Sequence, residues 1–129
     1  MVTLLTPAVL VHTLAAVAAL VVGTFVLFGR KGSARHRSVG RAWMILMLVV
    51  AVSSFAIRTD GHFSWLHLLS LVTLVALGRA VWAARARRIA AHRATAVALY
   101  SGGLVIAGIF TLLPQRLLGH ALWSMLGWL

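Results

Sequence analysis

Apolar residues run through this chain in four long blocks, broken by short polar punctuation. The first block spans about residues 4–28 and ends at Gly29-Arg30-Lys31-Gly32. The second covers residues 40–57, the third 65–83, and the fourth 94–113, stopping at Pro114. A helix needs ~20 predominantly apolar residues to cross a bilayer, and each block is close to that length. Short connections make consecutive helices antiparallel neighbours. The pattern therefore predicts an all-α integral membrane protein, a four transmembrane helix up-down bundle. Ser53-Ser54, Ser101-Gly102-Gly103 and Gly108 supply small residues for close helix approach.

The remaining fifteen residues, 115–129, are too few to span comfortably. Arg116, His120 and Ser124 recur every four positions and share one helical face. Trp123 and Trp128 suit the membrane–water boundary. The segment reads as a short C-terminal interfacial helix, with a frayed extension of the fourth span as the plainer alternative.

Composition strengthens the membrane reading. Of 129 residues, 62% are hydrophobic and 10% charged, with a mean hydropathy of +1.02. A soluble domain is about a quarter charged and could not hide so much apolar surface. The opening MVTLLTPAVLV lacks a basic n-region, so a cleaved signal peptide is not expected. The formal charge of +11 could point to nucleic acid, but no aromatic-studded basic surface accompanies it, so nucleic acid is not an expected partner.

The placement of the cations sets an orientation. Arg30, Lys31, Arg35, Arg37, Arg41, Arg79, Arg85, Arg87, Arg88 and Arg93 flank the first and third connections; Arg58 and Arg116 alone lie on the other side. By the positive-inside rule, both basic turns face the cytoplasm and both termini the periplasm of a bacterial inner membrane. Those cations are then candidates for contacting anionic lipid headgroups or acidic partner loops. Trp43, in the turn-to-helix stretch SARHRSVGRAW (33–43), reads as an interfacial anchor.

Chemistry rests on the histidines. His12 lies in the first block, and His36-Arg37 follows 24 residues later; His67 opens the third block, and His92-Arg93 follows 25 residues later. This weak parallel repeat implies a pseudo-two-fold axis along the membrane normal. It places His12 and His67 in an outer layer and His36 and His92 in an inner one, each on diagonal helices. A facing imidazole pair is what a six-coordinate haem b requires, with neighbouring arginines to neutralise propionates. The plainer reading is equally physical: histidines at helix ends cap carbonyls or sit among headgroups. His12 differs, because a titratable group inside a span has a partner or a function. His62 and His120 read as surface groups beside Asp60 and Arg116.

Other chemistry finds little footing. With one acid there is no carboxylate pair, and without cysteine there is no thiolate site. No HExxH, GxSxG or Gly-rich phosphate loop is present, and no histidine stands three or four residues from another for zinc. The residues argue against a self-sufficient enzyme.

His12, the turn HRSVGRAWM (36–44), FSWLHLLS (63–70), His92-Arg93 and AGIFTLLPQRLLG (107–119) together resemble a group of small four-helix bacterial inner-membrane proteins, the domain of unknown function 2306 family. The resemblance covers essentially the whole chain and implies the fold; it brings no activity. That family often has Gly where this chain has Gln115, a departure that bears on the turn after Pro114. A more distant topological likeness is to di-haem cytochromes of the b561 type, by analogy alone. Two functions follow as expectations. One is a non-catalytic accessory or assembly subunit packed against a larger membrane complex, such as one of respiratory or photosynthetic electron transfer, or against its own copies. The alternative is a bis-histidine haem b electron carrier, with ligands His12/His67 and His36/His92.

Overall fold

The structure is a computed structural model of all 129 residues, describing residues 7–56, 65–112 and 117–128. Every regular element among them is helical: α1 (Pro7–Phe28), α2 (Ala34–Ser54), α3 (Trp65–Arg85), α4 (Ile89–Ala98), a π-helical segment (Leu99–Ile106), α5 (Ala107–Thr111) and α6 (Leu117–Met125). α4, the π segment and α5 form one continuous rod. Among the described residues, four helices are long and apolar enough to cross a membrane, the fourth being this rod.

Two starts differ from the hydrophobic pattern. α2 begins at Ala34, six residues ahead of the apolar block. Ser33 is its N-cap: the extended residue accepts the His36 N–H on its hydroxyl at 3.1 Å and the Arg37 N–H on its carbonyl at 3.1 Å. Such a cap satisfies helix-end amides that would otherwise lack acceptors, and it outweighs the unfavourable cations in the first turn. His36 and Arg37 are thus helical rather than in a turn. Similarly, α4 begins at Ile89. Arg87, with φ 57°, ends α3 in a left-handed residue, and Arg88 and Arg87 donate to the Ala83 and Ala84 carbonyls at 2.8 and 3.2 Å. This 6→1, 5→2 closure lets the chain reverse in three residues. It puts His92 and Arg93 on the helix as well.

α1 packs on α2, α2 on α3 and α3 on α4, and contact between α1 and the π segment closes the ring. The core is a cluster of Ala19, Trp43, Met47, Leu77, Ala80, Leu99 and Leu104, with Met47 wholly enclosed. Trp43, expected as an interfacial anchor, is instead 4% exposed. Its indole N–H donates to the Ala19 carbonyl on α1 at 3.0 Å. That acceptor explains the burial, since a buried indole N–H needs a partner.

The π segment has a packing cause. Leu99 and Leu104 are both buried though five residues apart. An α-helix would rotate one of them away; an i→i+5 winding brings residues at that spacing to one side. Within it, a Cβ on Gly103 would stand 3.3 Å from the Met47 methyl, so the glycine lets this rod approach α2. Beyond it, α6 folds back: the Trp123 indole donates to the Leu112 carbonyl at 2.8 Å, and Trp123 stacks on Trp128 at 4.8 Å. Arg58, Asp60, His62, Pro114, Gln115 and Arg116 lie outside the described residues.

Candidate functional site

The outer layer gathers on the last turns of α2. His12 directs Nδ1 at the Val50 carbonyl (2.9 Å) and the Ser53 hydroxyl (3.1 Å), which itself donates to Val50 at 3.1 Å. A carbonyl only accepts, so Nδ1 carries the proton and Nε2 holds a lone pair in the neutral ring. The Ser54 and Ser70 hydroxyls meet across α2 and α3. His67 is buried on α3, its ring 5.7 Å from that of Phe55 and tilted by 40°. The helix supplies these sites because Ser53 and Ser54 end an apolar run, where their hydroxyls fold back on carbonyls and still face a neighbour.

The inner layer is built differently. His92 directs Nδ1 at the buried Ala80 carbonyl of α3, at 2.8 Å. His36 is half-buried on α2. The two inner histidines sit near the starts of α2 and α4, the diagonal helices at the basic end. In the outer layer, His12 and His67 both engage α2.

Between the layers lies a third cluster that the sequence reading missed. Tyr100 donates to the Thr24 hydroxyl at 2.6 Å, and Thr24 donates to the Leu20 carbonyl at 2.7 Å. Gly23 makes room for it: an added Cβ would fall 2.5 Å from the Trp43 indole nitrogen and 2.8 Å from the Tyr100 ring. The only advance signal was Gly23-Thr24 interrupting the most apolar block.

The basic end is mostly open. Arg30, Arg35, Arg41, Arg79, Arg85, Arg87, Arg88 and Arg93 are all exposed. Lys31 is committed to capping α1, donating to the Val26, Leu27 and Gly29 carbonyls at 2.5–2.8 Å. Arg37 reaches the Gly32 carbonyl at 3.3 Å, and Arg88 lies 5.3 Å over the Trp82 ring.

These arrangements can be weighed against a haem. An imidazole ligand holds its other nitrogen against a carbonyl or carboxylate, and the Nδ1 contacts of His12 and His92 have that form. Both contacts, however, run to the sequence-adjacent helix and suffice to satisfy a buried ring without iron. Among the described residues no three His or acidic side chains converge as a metal site.

A family model described as a predicted membrane protein, DUF2306, matches residues 9–127. The chain belongs to this family. No curated protein and no solved structure matches it. The DUF2306 assignment and the four apolar helices agree on a multi-pass membrane protein. The match takes in every described span, including all four layered histidines and the basic end.

Proposed function

We propose that this DUF2306 protein is a non-catalytic accessory or assembly subunit that packs laterally against a larger membrane complex, in a bacterial inner membrane with its basic end cytoplasmic. The observation that carries this reading is a stripe on α1. Leu10, Leu14, Val17, Val21 and Phe28 are spaced alternately by four and three residues, with Thr24 filling the register, and all five are 44–81% exposed. That spacing is the heptad seam along which one helix receives another. Within the bundle α1 needs only its opposite side, where Ala15, Ala19 and Gly23 are buried. Small residues inward and a regular ridge of large ones outward leave α1 ready for a second partner. The family match and the four spans support the membrane setting; the cation distribution supports the orientation.

The test is the native size of the assembly. Extracted in a mild detergent at its natural expression level, the protein should migrate with a second polypeptide in fixed ratio. A triple variant, Leu14→Ala with Val17→Ala and Val21→Ala, should migrate alone while keeping its own melting temperature. Migration of the wild-type chain alone would remove the reading.

The Nδ1 contacts of His12 and His92 favour one further reading, a haem b carrier using His12/His67 and His36/His92. Haem would supply one-electron transfer; the protein's part would be to hold ring orientation. A reduced-minus-oxidised spectrum decides it. A b-type band abolished by His12→Ala supports haem, and a featureless spectrum from protein purified at natural expression excludes it.

A further inference from the structure

The span Ile89–Ile109 has 21 residues, close to the ~20 that a bilayer-crossing helix needs. Arg93 lies four residues, ~6 Å, inside its basic end, on an exposed face. A guanidinium at that depth is costly unless it reaches the interface or meets a counter-charge. The chain has little to offer it. None of the described residues is acidic. Lys31, Arg37 and Arg88 are each engaged by carbonyls or an indole; Arg93, like the exposed Arg41 and Arg79, makes no such contact among the described residues. With Ile89, Ala90, Ala94 and Val97 it lines a shallow groove of about 540 Å³, open on the outer face of α4 alone. Two alanines on the helix surface leave the hollow, and the larger Ile89 and Val97 bound it.

We propose that this groove holds one anionic phospholipid from the leaflet at the basic end. Its phosphate meets the Arg93 guanidinium, and an acyl chain lies along Ala90, Ala94 and Val97. Arginine suits this role because its planar fork pairs with phosphate oxygens bidentately. A second copy of the chain is the poorer occupant, because it would bring another +11 molecule against the same cation. The site is independent of the α1 seam.

Native mass spectrometry of the full purified chain tests the proposal, with phosphatidylglycerol and phosphatidylcholine of identical acyl chains as probes. The wild-type protein should retain one phosphatidylglycerol in preference to phosphatidylcholine. Arg93→Gln should weaken that binding about fivefold, the share of one basic residue at an anionic surface, and Arg93→Lys should restore most of it. Ala94→Phe keeps every charge but fills the groove, and it should weaken binding comparably. Val75→Phe, which adds bulk on the exposed face of α3, should bind as wild type. Equal retention of both lipids, full binding by Ala94→Phe, or a dimer mass in place of a lipid adduct would each overturn the proposal.

Discussion

The two hairpins carry the same histidine pattern and use it in opposite senses. In the first, the histidine of the leading helix reaches forward: His12 on α1 bonds the Val50 carbonyl of α2. In the second, the histidine of the returning helix reaches back: His92 on α4 bonds the Ala80 carbonyl of α3. Each hairpin carries one histidine clamp, the first at its outer end and the second at its basic end. Of the other two histidines, His67 turns between hairpins toward Phe55, and His36 is half-buried on α2. A backbone carbonyl in a helix keeps a second lone pair, and in hydrocarbon that lone pair is the acceptor most readily at hand. The repeat therefore reads as a pair of clamps before it reads as a cofactor cage.

The hairpins also differ in how they fill space. The first buries an indole against a glycine face, whereas Trp82 of the second stays exposed beneath Arg88. Trp43→Ala should therefore be the most damaging change, at about 3–5 kcal/mol in denaturant unfolding of the micellar protein. Trp82→Ala should cost no more than about 1 kcal/mol, the scale of an exposed cation–π contact. The glycines repeat the contrast. Gly23→Ala forces a Cβ into Trp43 and Tyr100 and should cost about 1–3 kcal/mol. Gly78→Ala on α3, where a Cβ meets nothing within 4 Å, should be neutral or stabilise by up to about 1 kcal/mol through helix propensity. Equal effects at the two glycines would erase the distinction between the hairpins.

The clamps themselves should act more gently. His12→Ala and His92→Ala should each cost about 0.6 kcal/mol, at most about 1.7, the measured range for interhelical hydrogen bonds in a bilayer. Hydrogen exchange should locate the losses at opposite ends, around Val50 for His12 and around Ala80 for His92. The two costs should add, because the sites share no partner. Tyr100→Phe should cost a similar ~0.6 kcal/mol, with faster exchange confined to the π segment and the facing turn of α1.

Much of this was legible in advance, for reasons that are local. Apolar blocks of spanning length dictated four helices, and the histidine spacing placed His12 and His92 on helices that do meet a neighbour. What escaped depended on caps and on non-local packing. Ser33 extends α2 through a charged stretch that hydropathy reads as a turn, and Arg87 reverses the chain without a glycine. Trp43 resembles an interfacial residue until the Ala19 carbonyl and the flat face of Gly23 come within its reach. The π winding follows from burying Leu99 and Leu104 together against α2 and α3, a demand invisible along a single chain. The role of the basic residues was legible only in sum. The fold divides them into the carbonyl-bound Lys31 and Arg37, Arg88 over an indole, Arg93 at a groove, and the remaining described arginines on the exposed surface.

The claim that α1 is a docking helix can be tested directly by site-specific photo-cross-linking in native membranes. A benzophenone amino acid would replace Val17 on the α1 stripe or Val75 on the exposed face of α3, which are 56% and 67% exposed within the bundle. At natural expression, position 17 should yield one discrete protein adduct, and position 75 should yield adducts with lipid. Lipid adducts alone at both positions would contradict the account.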